Sequence, residues 1–148
     1  MLEYEKVLCP IAFHANCFEA LEVARRCVDR EAGTLYLIHV VRKVDPLEIS
    51  APAIEERLIK ESVERLRQII KEKLPDLNVE PVLRSGHPVE EIIEAQKQVG
   101  AGIIVLAKHN RSGLTRLFIG SVAERVVRDA VCSVLTVHPT DETHANAS

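Results

Sequence analysis

The stretch from Ile103 to Arg125 constrains the fold of this chain more than any other. It opens with the unbroken apolar run 103–106, crosses a polar, basic loop, and closes with Gly120 and Ser121. The segment that follows carries apolar residues at helical spacing, namely Val122, Val126, Val127 and Ala130. This pattern predicts a buried strand, a loop and a helix. Ligands of parallel sheets sit at the carboxyl ends of strands, and the first amides of a helix attract anions, so we expect a binding site here.

Strands and helices alternate along the whole chain. Five strands are predicted, at Lys6–Ile11, Thr34–Val41, Asn78–Leu83, Ile103–Leu106 and Cys132–Val137. The helices between them are predicted from an N-cap at Asn16 to a C-cap at Gly33, from about Ala53 to Leu74, from Pro88 to Val99, and from Ser121 to Asp129. Such connections are right-handed crossovers, which predicts a three-layer α/β/α fold around a parallel sheet. Pro81 marks the third strand as an edge strand, because proline cannot donate to a ladder.

The apolar periodicity also predicts which residues face the core. On the first helix these are Ala20, Leu21, Ala24, Cys27 and Val28; on the second they are Ile54, Leu58, Val63, Leu66, Ile69, Ile70 and Leu74. His39, inside the second strand, is interpreted as a hydrogen-bonded core histidine, and His87 as a cap for the third helix. The region from Arg42 to Pro52 has no periodicity and is predicted to be a loop.

Composition narrows the class of protein. The chain has 148 residues, a formal net charge of -3 and no Trp, which fits one globular domain (residues 1–139) and argues against a base-stacking or electrostatic nucleic-acid surface. No apolar run approaches the roughly 20 residues of a membrane span, and the first residues do not resemble a signal peptide. We therefore expect a cytoplasmic protein that does not bind membranes, with a disordered tail at residues 140–148.

Four motifs stand out along the chain: Val-Leu-x-Pro-Ile from Val7, Leu-Ile-His-Val-Val ending the second strand, Gly-x-Pro-x-x-Glu-Ile from Gly86, and the run from Arg111 to Val126. Together they resemble the universal stress protein family. The resemblance covers about residues 4 to 139. It implies an adenine nucleotide alpha hydrolase-like fold with five parallel strands in the order 3-2-1-4-5. It also implies a homodimer formed through the last strand, Ser133 to His138, whose apolar edge would otherwise need protection.

Nucleotide-binding members of that family carry a glycine motif: Gly, two residues, Gly, nine residues, Gly, then Ser or Thr, with an Asp after the first strand. Here the corresponding residues are Ala107, Asn110 and Gly120-Ser121, and Ala12 replaces the Asp. The resemblance therefore implies a degenerate site for ATP or AMP, with Mg²⁺, between the ends of strands one and four. Its ligand-binding residues would be Pro10, Ile11, Ala12, Val40, Leu106, Ala107, Asn110, Arg111, Ser112, Gly120, Ser121 and Val122.

The replacements have different expected effects. Asn110 tolerates the left-handed conformation, whereas Ala12 removes an acceptor whose charged hydrogen bond is worth about 1.5–3 kcal/mol, or roughly tenfold to more than a hundredfold in affinity. The phosphate end keeps the amides of Ser121 and Val122, with Lys108, Arg111 and Arg116 nearby. Alternatively, these cations are solvated loop charges and Gly120-Ser121 is only a helix cap.

Other chemistry is less well supported. A metal site from His14, His109 and Cys17 is conceivable, but no ligand pair has a recognised spacing, so we predict none; the alternative is polar loop histidines and buried cysteines. The four cysteines are interpreted as small buried hydrophobes. No nucleophile elbow, phosphate loop or dinucleotide motif occurs, so we assign no catalytic residue and expect at most slow ATP hydrolysis.

Two functions therefore remain open from the sequence. The first is a dimeric stress-response regulatory or binding module that binds an adenine nucleotide or another phosphorylated ligand weakly. The second is a dimeric adaptor that has lost nucleotide binding and acts through an unidentified protein partner. Stabilisation by ligand distinguishes them.

Overall fold

The described part of the chain folds into a five-stranded parallel sheet flanked by four helices. The computed structural model describes residues 3–13, 17–43, 47, 51–108 and 121–138. Its elements are β1 (Lys6–Pro10), α1 (Cys17–Cys27), β2 (Thr34–Val41), α2 (Ala51–Lys73), β3 (Val79–Ser85), α3 (Pro88–Val99), β4 (Ile103–Ala107), α4 (Ser121–Asp129) and β5 (Ser133–Val137). The strand order is β3-β2-β1-β4-β5, and every pairing is parallel. This confirms the fold class and the strand order.

The sheet separates two hydrophobic cores. Successive side chains of a strand point to opposite faces, so Val7 and Cys9 lie in one core and Leu8 in the other. The α1–α2 core includes Ala20, Leu21, Ala24, Leu66, Ile69 and Leu74; the α3–α4 core includes Val89, Ile92, Ala95, Ala123 and Val126. The three layers predicted from the alternation of elements are therefore present.

The predicted end of the first helix was wrong. The helix ends at Cys27, because Val28 pairs with Tyr4 in a parallel bridge outside the sheet. The N–H of Tyr4 donates to the carbonyl of Cys27 at 2.8 Å, and the N–H of Asp29 donates to the carbonyl of Tyr4 at 2.9 Å. Gly33 consequently lies in a separate turn rather than at the helix C-cap.

The second helix differs from its prediction in start and in buried face. It begins at Ala51, so Pro52 lies in its first turn, where a missing N–H is tolerated, and does not bound a loop. Ile54 and Leu58 were predicted to be buried but are 37% and 38% exposed, and the buried positions begin at Ser62. The reason is length: α2 has 23 residues, about 34 Å, whereas the eight residues of β2 span about 26 Å. The first turns of α2 therefore extend past the carboxyl edge of the sheet.

The remaining elements follow the predictions with small corrections. β3 is an edge strand, as Pro81 indicated, but it continues to Ser85. His87 occupies the N-cap position of α3 without a side-chain hydrogen bond, so it does not cap in the predicted way. On α4, Val127 is 52% exposed, and Ala123 instead packs inward with Val126. Within the residues that the structure describes, no helix is long and apolar enough to cross a membrane.

Candidate functional site: the crevice between β1 and β4

The sheet opens at the point where its strand order reverses. β1 pairs with β2 over five residues, but in the described residues it pairs with β4 only through Val7–Ile103 and Leu8–Ile104. Both strands run on beyond Leu8 and Ile104, so their carboxyl ends separate without a ladder between them. β4 meanwhile pairs with β5 along its whole length. We call the space between these unpaired strand ends the crevice; it lies at the topological switch point, where open α/β sheets bind their ligands.

The predicted wall residues border this crevice in two different ways. Ile11 and Leu106 are 4% and 3% exposed and belong to opposite cores, so their side chains are structural. The N–H of Ile11 is also used, because it donates to the carbonyl of Ile38 at 2.8 Å. Ala12 and Ala107 are half-buried against the α1–α2 core. The methyl side chains at these two positions offer no polar group to a ligand in the crevice.

Val40 and Pro10 lie at the ends of neighbouring strands. Val40 packs against the α3–α4 core, and Pro10, at the end of β1, is half-buried and pairs in register with Ile38. Pro10 is therefore part of the β1 wall of the crevice, and Val40 lies on the neighbouring strand β2, two residues beyond the Pro10–Ile38 pair.

His39 ties the ends of β1 and β2 together. Its Nδ1 lies 2.8 Å from the carbonyl oxygen of Ile11, so Nδ1 must carry the hydrogen and donate it. The ring of Phe13 lies 4.2 Å from the His39 ring, tilted by 37°, and the guanidinium carbon of Arg65 lies 4.5 Å from the Phe13 centroid. The prediction of a hydrogen-bonded histidine is confirmed, although the side chain is half-buried. The stack with Phe13 and Arg65 was missed, because it joins three elements that are remote in sequence.

The β4 side of the crevice carries the ammonium group of Lys108, next to His138. The N–H of Lys108 donates to the carbonyl of Val137 at 2.9 Å, and its Nζ lies 3.3 Å from Nε2 of His138. His138 was not singled out from the sequence. No local pattern marks it; it becomes a neighbour of Lys108 only through the β4–β5 register, in which Ala107 pairs with Val137. Since β4 and β5 are parallel, α4 begins on this same edge, with Val122 half-buried against the α3–α4 core.

Part of the predicted site lies outside the described residues. This holds for Asn110, Arg111, Ser112, Arg116 and Gly120, for His14 and His109, and for the side chains of Cys17 and Ser121. In the remaining chain, no group of three or more His, Cys, Asp or Glu side chains is arranged to hold a metal.

The cysteines are buried to different degrees. Cys9 is buried as expected, while Cys27 and Cys132 are half-buried, and burial raises the pKa of both of these thiols. Burial thus disfavours their reactive thiolate forms.

The parallel sheet in the order β3-β2-β1-β4-β5, with helices on both faces, defines an open α/β protein whose topological switch point lies between β1 and β4. The family model of the universal stress protein family matches residues 3–138. The chain is 31% identical over 141 residues to universal stress protein MJ0531 of Methanocaldococcus jannaschii, which covers 90% of this chain and 82% of that protein. The solved structure of MJ0577, from the same organism, is similar with a TM-score of 0.83 at 26% identity, covering 93% of this chain and 98% of that one. The chain belongs to the universal stress protein family.

Two more distant structures share the fold and carry nucleotides. One is a universal stress protein in complex with cAMP, with a TM-score of 0.61 at 19% identity, covering 91% of this chain and 97% of that one. The other is a universal stress protein from Archaeoglobus fulgidus in complex with dAMP, with a TM-score of 0.57 at 17% identity, covering 90% and 97%. At these low sequence identities, the comparison shows that the two proteins have the same fold as this chain.

Proposed function

We propose that this protein is a cytoplasmic stress-response module that binds an adenine nucleotide weakly in the crevice between β1 and β4. The observation that carries the proposal is the early end of the β1–β4 ladder at Leu8–Ile104, which opens the sheet at its switch point. The family membership of the chain, and the cAMP and dAMP complexes of two proteins with this fold, support an adenine nucleotide as the ligand. The protein-interaction adaptor is not favoured by any comparable observation.

The phosphate end of the ligand is assigned to the basic edge. Lys108 and His138 lie side by side there, and the first amides of α4, at Ser121 and Val122, add the positive end of a helix. The donor set therefore fits a phosphate group. Mg²⁺ would reach the crevice on the nucleotide phosphates with most of its water ligands, as is usual for this ion.

The nucleoside end is assigned to the side of Ala12 and Val40. Ala12 offers a methyl group where nucleotide-binding members of the family have a carboxylate, so a ligand donor at this point lacks a charged acceptor. One missing charged hydrogen bond costs about 1.5–3 kcal/mol, which is the physical reason for expecting weak binding. The half-buried methyl group leaves room for the ligand without contributing to its recognition.

The outer edge of β5 supports a homodimer. Among the residues that the structure describes, β5 pairs only with β4, and Leu135 is 39% exposed along this edge strand. Val127 and Val131, which precede β5, are 52% and 75% exposed. An apolar edge strand is an aggregation liability unless it is covered, and a second copy of the chain pairing along Ser133 to His138 would cover it.

Thermal unfolding with and without ATP or AMP and Mg²⁺ tests the proposal. A ligand at a hundred times its dissociation constant stabilises the folded state by about 2.7 kcal/mol, roughly 5–10 °C for a domain of this size. We expect the wild type to gain several degrees at millimolar nucleotide, Lys108→Gln to gain clearly less, and Lys6→Gln, at the opposite end of the sheet, to behave like the wild type. If no nucleotide raises the melting temperature of the wild type, the nucleotide-binding proposal is wrong, and the protein-interaction adaptor becomes the better proposal.

A further inference from the structure

A groove separates the two helices on one face of the sheet. α1 packs over β1, β4 and β5, whereas α2 packs over β2 and β3, so the two helices cover different strands of the same face. Ile69, 9% exposed, lies at the bottom of the space between them. Its other lining residues are Phe13, Phe18, Arg65, Gln68, Glu72 and Lys73, and its volume is about 320 Å³. This is the lower end of the range of ligand pockets, roughly 300–1,000 Å³, and suits a few side chains rather than a whole helix.

Two cations in the groove are held over aromatic rings. The guanidinium carbon of Arg65 lies 4.5 Å from the centroid of Phe13, and Nζ of Lys73 lies 4.5 Å from the centroid of Phe18. A guanidinium has five N–H donors, so one held over a ring can still donate to a carboxylate. Because the rings already restrict both exposed side chains, less rotamer freedom is lost when an anion binds.

The charge distribution selects the kind of anion. The lining carries two cations and one carboxylate, and the carboxylate is engaged, because Nε2 of Gln68 donates to Oε1 of Glu72 at 3.0 Å. A dense polyanion would meet Glu72 and a chain of net charge -3. A segment with two separate carboxylates can pair with the cations and avoid Glu72, so charge complementarity favours an acidic peptide over a nucleic acid.

The distance between the two cations determines how far apart the acidic residues of that peptide must be. Arg65 and Lys73 are eight residues apart on α2, about 12 Å along the helix axis. An extended chain covers about 13 Å in four residues, and its residues i, i+2 and i+4 share one face. We propose that the groove binds an extended segment of a partner protein with the pattern acidic-x-apolar-x-acidic. The carboxylates pair with Arg65 and Lys73, and the apolar side chain lies on Ile69 between the two rings.

A nuclear magnetic resonance titration tests this proposal directly. The probe is the capped peptide Gly-Glu-Ala-Leu-Ala-Glu-Gly, with two controls: its isomer Gly-Leu-Ala-Glu-Glu-Ala-Gly and the version with both Glu replaced by Gln. The chain has only three Phe, two Tyr and no Trp, so its aromatic resonances are few and can be assigned. We expect the Phe13 and Phe18 resonances to shift and saturate with the probe, while those of Tyr4 and Tyr36 stay in place.

Matched charge reversals identify the contact. Arg65→Glu combined with Lys73→Glu should weaken probe binding about tenfold or more, because two ion pairs become two repulsions. Arg67→Glu combined with Lys71→Glu makes the same change of charge on the exposed side of the same helix and should leave binding within about twofold. Melting curves of both variants verify that the fold is retained.

Three results would overturn the proposal. The first is that the aromatic resonances do not shift at low-millimolar probe peptide. The second is that the isomer or the Gln peptide binds with the same affinity as the probe. The third is that inorganic tripolyphosphate displaces the probe as well as unlabelled probe does, which would indicate a general anion-binding patch. The proposal is independent of nucleotide binding. Lys108→Gln should bind the probe like the wild type even where it has lost its response to nucleotide, so the two ideas fail separately.

Discussion

Replacing Gly33 by Ala tests the close packing of the turn in front of β2. In this turn the carboxylate of Asp29 accepts the N–H of Glu31 at 2.9 Å and of Ala32 at 3.3 Å, and the carbonyl of Asp29 accepts the N–H of Gly33 at 2.8 Å. A Cβ added to Gly33 would lie 2.4 Å from that same carbonyl oxygen and 2.7 Å from Cγ2 of Val28. Since the nearest atom belongs to the backbone, rotation of a side chain cannot relieve the contact.

The size of the effect follows from these contacts. Overpacking costs about 1–3 kcal/mol, and moving the backbone away also gives up the Gly33–Asp29 hydrogen bond, worth about 0.5–1.5 kcal/mol net. We therefore expect Gly33→Ala to lower the free energy of unfolding by about 2–4 kcal/mol. At 148 residues this corresponds to a fall of roughly 5–15 °C in the melting temperature.

Gly100→Ala is the matched control for this prediction. Gly100 has φ 73° and ψ 33° at the C-cap of α3, and the nearest atom to its added Cβ is Nζ of Lys6, 3.9 Å away. The cost there is left-handed strain alone, about 1 kcal/mol. Urea unfolding at one fixed protein concentration measures both variants. If Gly33→Ala is no more destabilising than Gly100→Ala, the turn absorbs the methyl group and the reasoning from close contact is wrong.

Three further predictions concern the core, the crevice and the sheet edge. Leu66→Ala, at a side chain that is 1% exposed, should cost about 2–5 kcal/mol in urea unfolding, whereas Ile54→Ala on the same helix should cost less than about 1 kcal/mol; equal losses would contradict the burial pattern of α2. Ala12→Asp should raise the affinity for ATP roughly tenfold to a hundredfold in calorimetric titration, and an unchanged affinity would remove Ala12 from the ligand site. Leu135→Lys should shift the protein from dimer to monomer in light scattering after size exclusion, and a wild type that is already monomeric would refute dimerisation through β5.

The sequence predicted those parts of the fold that depend on local pattern. Thr34–Val41 and Ser121–Asp129 were placed correctly because their apolar periodicity is bounded by clear breaks. The end of α1 was misplaced because it depends on the bridge between Val28 and Tyr4, which are remote in sequence. The exposed start of α2 was missed because periodicity shows which face of a helix is apolar but not how far the sheet beneath it extends.

Some features of the candidate site could be predicted from the sequence, and others could not. The strand order, implied by the family resemblance, was sufficient to place the crevice between β1 and β4. The contact of Lys108 with His138 requires the β4–β5 register, and the stack of Arg65 on Phe13 requires the packing of α2 on the sheet. Neither contact leaves a signal in a single sequence, because each joins residues that are 30 or more positions apart.

The length of α2 gives one helix two different local stabilities. Its first turns keep helical hydrogen bonds but lack core contacts, apart from the bond that Oγ of Ser85 donates to Glu55 at 2.7 Å. Amide hydrogens there should exchange with solvent through local fraying, while those beyond Ser62 are released only when the sheet itself unfolds. Exchange rates along this helix therefore locate the border between its exposed first turns and the segment that packs on the core. Because the exposed segment contributes little to global stability, substitutions there should weaken the fold less than substitutions in the buried part of the helix.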